Sequence, residues 1–245
     1  MTIQEVVALM DRSGSMAGKV LDSIGGFNST LEVLRSEQTD DSIINVSVKL
    51  FDNNEEMLFR SIPLSEVRPL KASQFIPRGQ TALLDAMGNT LNFFMQKKLI
   101  NPEAYDCCTI YVVTDGLENC SQQFNRSQIK SMIESGENNF NIKVIYLAAN
   151  QDAIFEASNL GINPDQAINY SESREETEAA YRSAAAMVGR HRSGGRVEFL
   201  QVERIASQRS NPSPYVPRRA VSELNPVTPP PITRQSSTRP VRSRY

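Results

Sequence analysis

Four short apolar runs, each cut off by a polar loop and each separated from the next by a helical pattern, limit most strongly what this chain can fold into. They cover residues 5–10, 43–51, 107–113 and 142–147, the second of which alternates in part. A strand exposed on one face alternates apolar and polar residues, whereas a near-continuous apolar run suits a strand buried on both faces, as in a parallel sheet. Between the runs the period changes. Val20, Ile24, Phe27, Leu31 and Leu34 recur every three or four residues and predict an amphipathic helix, and Leu83, Leu84, Met87, Leu91 and Phe94 predict another over 82–97. Ser127 is expected to cap a short helix through Ile133, and a helix over 152–159 is expected to end at Gly161. A last helix over 173–188 opens with Glu175, Glu176 and Glu178 at its positive end. Asp52-Asn53-Asn54 supplies turn residues before Met57-Leu58-Phe59, which predicts a hairpin with the second run. Strands alternating with helices predict an α/β fold, a doubly wound and mostly parallel sheet with helices on both faces.

The chain divides by composition. Residues 1–190 carry the strand and helix pattern, and 191–206 read as a connecting segment that forms a last strand or a short docking piece. From residue 207 to 245 the character changes, with eight of the thirteen prolines falling between Pro212 and Pro240. Too little apolar surface is available there to offset ordering entropy, so this tail is expected to be disordered or extended until a partner orders it. From Arg204 to Tyr245 there are eight arginines, no lysine and one acid, a balance of +7 in a chain whose net charge is −2. An acidic body thus carries a basic tail. Such a tail suits an acidic protein surface or nonspecific contact with nucleic acid, and Tyr215 and Tyr245 are too few aromatics for regular base stacking.

Several function classes lack their residues. There is no glycine loop ending in Lys-Ser/Thr and no GxGxxG after the first strand. His191 is the single histidine and lies in an Arg-Gly-rich stretch that reads as a solvated loop, which leaves no material for a histidine zinc site or a catalytic triad. Cys107, Cys108 and Cys120 make no disulfide framework and read as buried, reduced thiols of a cytoplasmic protein. No apolar stretch approaches the ~20 residues that span a bilayer, and the run 6–10 stops at Asp11 like a strand rather than a secretion signal.

Three polar loops remain. Asp11-Arg12-Ser13-Gly14-Ser15 follows the first run, Thr81 opens the 82–97 helix, and Thr114-Asp115-Gly116 follows the third run. In an open α/β sheet, loops at the carboxyl ends of strands converge on the ligand site. Hydroxyls and carboxylates suit Mg²⁺, which takes oxygen ligands in near-octahedral geometry and keeps several waters. Two carboxylates against one dication leave the site about neutral, so an acidic ligand is not repelled. Asp85 and Asn119 are candidates to orient ligands or to serve the helix face and turn. Glu118 reads as a rim acid or a solvated one, and Met16 as packing.

Together, Asp11-x-Ser13-x-Ser15, Thr81 and Asp115 resemble the metal-ion-dependent adhesion site of the von Willebrand factor A family. The stretch from Asp11 through Gly25-Gly26-Phe27-Asn28 is similar to small stand-alone members from bacteria, their viruses and some protists. The resemblance covers about residues 3–190. It implies a Rossmann-like fold with one antiparallel edge strand, Ser13, Ser15 and Thr81 at the metal, and Asp11 and Asp115 acting mainly through coordinated waters. It also implies Mg²⁺, with Mn²⁺ or Ca²⁺ able to substitute, and a glutamate or aspartate of a partner protein completing the shell. The expected function is a binding module rather than an enzyme. An aspartyl phosphoryl-transfer hydrolase would need a second acid where Ser13 stands. A structural part of a larger assembly, such as a virus particle, with the basic tail threaded over a neighbour, remains the alternative.

Overall fold

The computed structural model describes residues 1–149, 152–171 and 173–209. In chain order the elements are β1 (Thr2–Asp11), α1 (Val20–Glu37), β2 (Ser42–Phe51), β3 (Glu55–Pro63), α2 (Leu83–Ile100), β4 (Cys107–Thr114), α3 (Arg126–Phe140), β5 (Ile142–Ala149), α4 (Ala153–Leu160), β6 (Ala167–Tyr170), α5 (Arg174–Arg192) and α6 (Gln201–Ser207). The six strands form one sheet in the order β3-β2-β1-β4-β5-β6. Every neighbouring pair is parallel except β2 with β3, which makes β3 the antiparallel edge. The α/β, Rossmann-like, mostly parallel architecture expected from the sequence is the one observed.

Alternation along β1 builds two cores. Val6, Ala8 and Met10 face one layer with Phe27 and Leu31 of α1 and Tyr181 and Met187 of α5. Val7 and Leu9 face the other, with Met87 and Phe94 of α2, Ile129 of α3 and Ala157 of α4. Helices therefore cover both faces. The α1–α5 contact depends on Gly26, where a Cβ would lie 2.3 Å from Cδ2 of the fully buried Tyr181 ring. Any larger residue there overpacks the core.

Some elements differ from the sequence reading. α3 starts at Arg126 and runs to Phe140, because Asn125 rather than Ser127 is the cap, forming a reciprocal capping box with Gln128. The four-residue strand β6 was not expected. The segment after α5 forms α6 and docks beside β6. Buried Arg204 donates to the carbonyls of Ala167 at 2.7 Å and of Pro164 and Asp165 at 3.2 Å, and Ser207 Oγ donates to the Asn169 carbonyl at 2.9 Å. The tail expectation for 210–245 lies outside the described residues.

His191 is not a solvated loop residue. α5 continues through it, its side chain is buried, and its Nδ1 and Nε2 meet Thr109 Oγ1 at 2.8 Å and Asn141 Oδ1 at 3.1 Å. Its Arg-Gly neighbours suggested solvent, but the last turn of α5 packs over β4 and carries it inward. Cys107 and Cys108 are buried and Cys120 is half-buried, all three as free thiols. No described helix is long and apolar enough to cross a membrane.

Candidate metal centre

β1 is flanked by β2 on one side and β4 on the other, so the chain reverses its direction of sheet growth between β1 and β4. The loops leaving the carboxyl ends of these two strands splay apart there and open a crevice. Asp11 ends β1 and Asp115 follows β4, which puts a carboxylate on each side of it. The loop before α2 is drawn in by backbone bonds. Gly14 N–H donates to the Gly79 carbonyl at 3.2 Å, and Asn119 N–H donates to the Thr81 carbonyl at 3.1 Å. Asn119 Oδ1 returns the contact by accepting the Thr81 N–H at 2.9 Å.

The five sequence-predicted residues come together. Ser13 N–H donates to Asp11 Oδ1 at 2.7 Å, the Ser13 and Ser15 hydroxyls lie 3.0 Å apart, and Ser15 Oγ donates to Asp115 Oδ1 at 2.6 Å. Gly116 shows where Thr81 belongs. A Cβ placed on it would sit 3.2 Å from Thr81 Oγ1, 3.6 Å from Ser15 Oγ and 3.9 Å from Asp11 Oδ2. Oxygens of the first two loops thus pack against the backbone of the third at Gly116, where a side chain would crowd them. Asp11 is fully buried, with Thr114 Oγ1 donating to its Oδ2 at 2.7 Å. Burial pushes its carboxyl up to about 6, against the bonds from Thr114 and Ser13 that favour the anion, and nearby Asp115 adds a push in the same direction.

These donors fit a hard dication. Among the described residues no group of three or more His, Cys, Asp or Glu could hold a metal, so thiolate and imidazole chemistry is not on offer at this crevice. What is present is hydroxyl and carboxylate oxygen, with a buried acid short of positive charge, the donor set that Mg²⁺ or Mn²⁺ accepts together with waters.

Other residues frame the crevice. Glu118, read from sequence as a rim or solvated acid, is half-buried and bonded to backbone. It accepts the N–H groups of Leu84, Cys120 and Ser121 at 2.9, 2.9 and 2.7 Å, and so ties the β4 loop to the first turn of α2. Asp85 serves the turn, accepting the N–H groups of Gln122, Gln123 and Phe124 at 2.8 to 2.9 Å. Met16 is buried packing. Two features were missed. Buried Arg12 donates to Asp52 at 2.8 Å and also pairs with Glu56, while Arg78 reaches the same Asp52 oxygen at 2.9 Å. Burial pushes the Asp52 carboxyl up, but bonds from Asn54 N–H, Arg78 and Arg12 outweigh it and hold it below its ordinary value. Lys19 Nζ lies 2.7 Å from Asp115 Oδ2. No motif marks Lys19, because the pairing spans 96 residues of chain.

No protein-family model matches the sequence, and no curated protein matches it. Solved structures do match in fold. A von Willebrand factor type A protein from Catenulispora acidiphila aligns with a TM-score of 0.54 at 14% identity, over 77% of this chain and 43% of its own. The von Willebrand factor domain of the type V pili tip protein Mfa5 from Porphyromonas gingivalis aligns with a TM-score of 0.56 at 11% identity, over 81% and 99%. The manganese-loaded TRAP protein of Plasmodium vivax gives 0.53 at 15% identity, over 80% and 74%. The fold is that of a von Willebrand factor A domain. This chain spans less than half the length of the Catenulispora protein. Within the A-domain fold the crevice between β1 and β4 is the natural ligand position.

Proposed function

We propose that the chain is a metal-dependent protein-interaction module. Ser13, Ser15 and Thr81 hold a Mg²⁺ ion, and Asp11 and Asp115 act on it mainly through coordinated waters. When bound, the ion supplies an open coordination position that takes up a carboxylate, and a glutamate or aspartate of the partner fits it. The observation that carries this reading is the convergence of oxygens from three loops: Asp11, Ser13, Ser15 and Asp115 are linked in turn by contacts of 2.6 to 3.0 Å, and Thr81 Oγ1 lies against the backbone of Gly116 next to Asp115. The manganese in the Plasmodium protein of similar fold supports the same reading. The chain's own work is to orient: Thr114 and the Ser13 N–H fix the Asp11 carboxylate, Asn119 fixes the Thr81 backbone, and Glu118 anchors the loop that carries Asp115. A binding role also suits the position of the single histidine, which packs against Thr109 in β4 and Asn141 just ahead of β5, away from the crevice.

The test is calorimetric titration of the full chain with Mg²⁺ and Mn²⁺, followed by acetate and a glutamate-containing peptide. One ion per chain and a carboxylate affinity that disappears in EDTA are expected. Carboxylate binding that is indifferent to EDTA would sink the reading.

A further inference from the structure

Strands β1, β4 and β5 run parallel, so the connections that leave them emerge at one end of the sheet, the end that holds the crevice. After each of these strands one large apolar residue stands in solvent. Leu21 in the first turn of α1 is 76% exposed, Leu117 in the loop after β4 is 54% exposed, and Phe155 in the first turn of α4 is 58% exposed. Lone exposed apolar residues are ordinary on a protein surface, but several gathered at the end that carries a ligand position mark a docking surface.

Leu117 is tied to the crevice on both sides. Gly116 before it packs so closely that a Cβ there would lie 3.2 Å from Thr81 Oγ1 and 3.6 Å from Ser15 Oγ, and the Cα of Leu117 is one step of about 3.8 Å further on. After it, Glu118 accepts three backbone N–H groups and the Ser121 hydroxyl, and Asn119 exchanges two bonds with the Thr81 backbone. The loop is held, and it still presents a leucine to water. A side chain presented in this way adds little to the core, and covering it costs little backbone freedom.

We propose that Leu117, together with Leu21 and Phe155, gives the metal crevice an apolar rim, and that the partner offers an acidic residue with apolar neighbours; this rests on the metal-binding reading above. A carboxylate alone gains little at such a site, because it displaces water from the ion and gives up its own hydration. Covering Leu117 adds affinity in proportion to the apolar area removed from water. The ion fixes where the acid goes, and the rim selects among acidic segments by what flanks the acid. A glutamate between serines leaves Leu117 wet, whereas a glutamate between leucines covers it.

The experiment uses the full chain saturated with Mn²⁺, as wild type, Leu117→Ser and Leu99→Ser. Leu99, 60% exposed near the end of α2 on the far side of the sheet edge from the crevice loops, is the control. Acetate, butyrate and hexanoate are titrated, followed by blocked tripeptides that carry glutamate between two leucines or between two serines. Binding is read from water-proton relaxation, which falls as a carboxylate displaces water from the ion. In wild type, hexanoate is expected to bind about tenfold more tightly than acetate, since each fully buried methylene contributes about fourfold and the rim is partly open. Leu117→Ser is expected to remove most of that gain and most of the preference for leucine-flanked glutamate, with Mn²⁺ and acetate affinities unchanged. Leu99→Ser is expected to change none of them. A wild-type series that does not rise with chain length, or a rise that survives Leu117→Ser or EDTA, overturns the inference and leaves the metal site standing. Should Leu117→Ser fail to fold, Leu117→Ala is read by the same criteria. If neither Mn²⁺ nor acetate binds wild type, the reading of the site falls and this inference falls with it.

Discussion

The two ends of the parallel strands both bury polar groups, but of opposite kinds. At the amino ends, donors and acceptors match. His191 sits between Thr109 and Asn141, and Asn141 Nδ2 donates to the Asp106 carbonyl at 2.9 Å, which leaves its Oδ1 to accept from the imidazole. Gln4 Nε2 donates to the Val188 carbonyl at 2.9 Å, and only its Oε1 in this group lacks a partner. At the carboxyl ends, two carboxylates and the hydroxyls of Ser13, Ser15, Thr81 and Thr114 crowd together. Among the described residues Lys19 is the one cation in salt-bridge range of either carboxylate. Burial acts on both ends by disfavouring the charged form, pushing Asp11 up to about 6 and His191 down to about 4. What distinguishes a candidate site is therefore not that its polar groups are buried. It is that they remain short of positive charge after the protein has supplied what it can.

The comparison breaks most plainly at Asp11. Asp11→Asn keeps an acceptor for the Ser13 N–H but removes the charge. It is expected to weaken Mn²⁺ binding about a hundredfold, on the scale seen when groups acting through bound waters are lost, while the metal-free stability shifts by about 1 kcal/mol or less. Thermal melts with and without Mn²⁺ check both. A metal-dependent rise in melting temperature that survives the change would mean Asp11 is merely a buried structural acid, like the groups at the other end.

The next effect belongs to His191 and appears as pH dependence. Its imidazole enters the fold neutral, pushed from an ordinary 6.5 to about 4 chiefly by burial, with Lys143 contributing. The unfolded chain takes up the proton first as pH falls, so this residue's contribution is fully present above about 6.5 and is lost progressively down to about 4. The loss is about 3 kcal/mol in all. Denaturant unfolding between pH 8 and 4 in wild type and His191→Gln checks the sign. The variant is expected to show a shallower decline across that window, whereas parallel curves would place the imidazole in solvent.

How much of this was legible depended on the range of the interaction. The strands β1, β4 and β5 are near-continuous apolar runs while β2 alternates in part, and the crevice residues stand where β1 and β4 stop, so local pattern located Asp11, Ser13, Ser15 and Asp115 together. Thr81 was recognisable only through the family pattern, because nothing local distinguishes it from other helix-opening threonines. β6 was not visible. Its four residues, Ala167–Tyr170, owe their strand to pairing with β5 and to the cover of Arg204 and Ser207 from α6. Lys19 failed for the same reason, since its importance comes from Asp115 nearly a hundred residues away. His191 was misread because composition describes a segment's average, and one face of α5 is buried whatever its neighbours carry. Glu118 reads from sequence as a rim or solvated acid and Asp85 as a ligand-orienting or helix-face and turn residue, and both spend their oxygens on backbone N–H groups of the loop between β4 and α3. Side chain to backbone bonds of this kind have no spacing rule to reveal them.

Removing one hydroxyl at each end isolates the comparison. Thr109→Val deletes the partner of His191 Nδ1 at the buried side of a matched cluster. An acceptor left without its donor there costs about 2 kcal/mol, and Mn²⁺ affinity should not move. Ser15→Ala deletes a hydroxyl from an exposed residue whose bonds run to Ser13 and Asp115. Water replaces those bonds, so metal-free stability is expected to change by no more than about 0.5 kcal/mol, while Mn²⁺ affinity falls severalfold because a ligand is gone. Paired chemical denaturation and metal titration on the two variants would read a crossed pattern, stability lost at one end and binding at the other. If Ser15→Ala destabilises the metal-free chain as much as Thr109→Val does, the hydroxyls at the crevice are already satisfied by the protein, and the shortage of positive charge that argues for a cation there is not real.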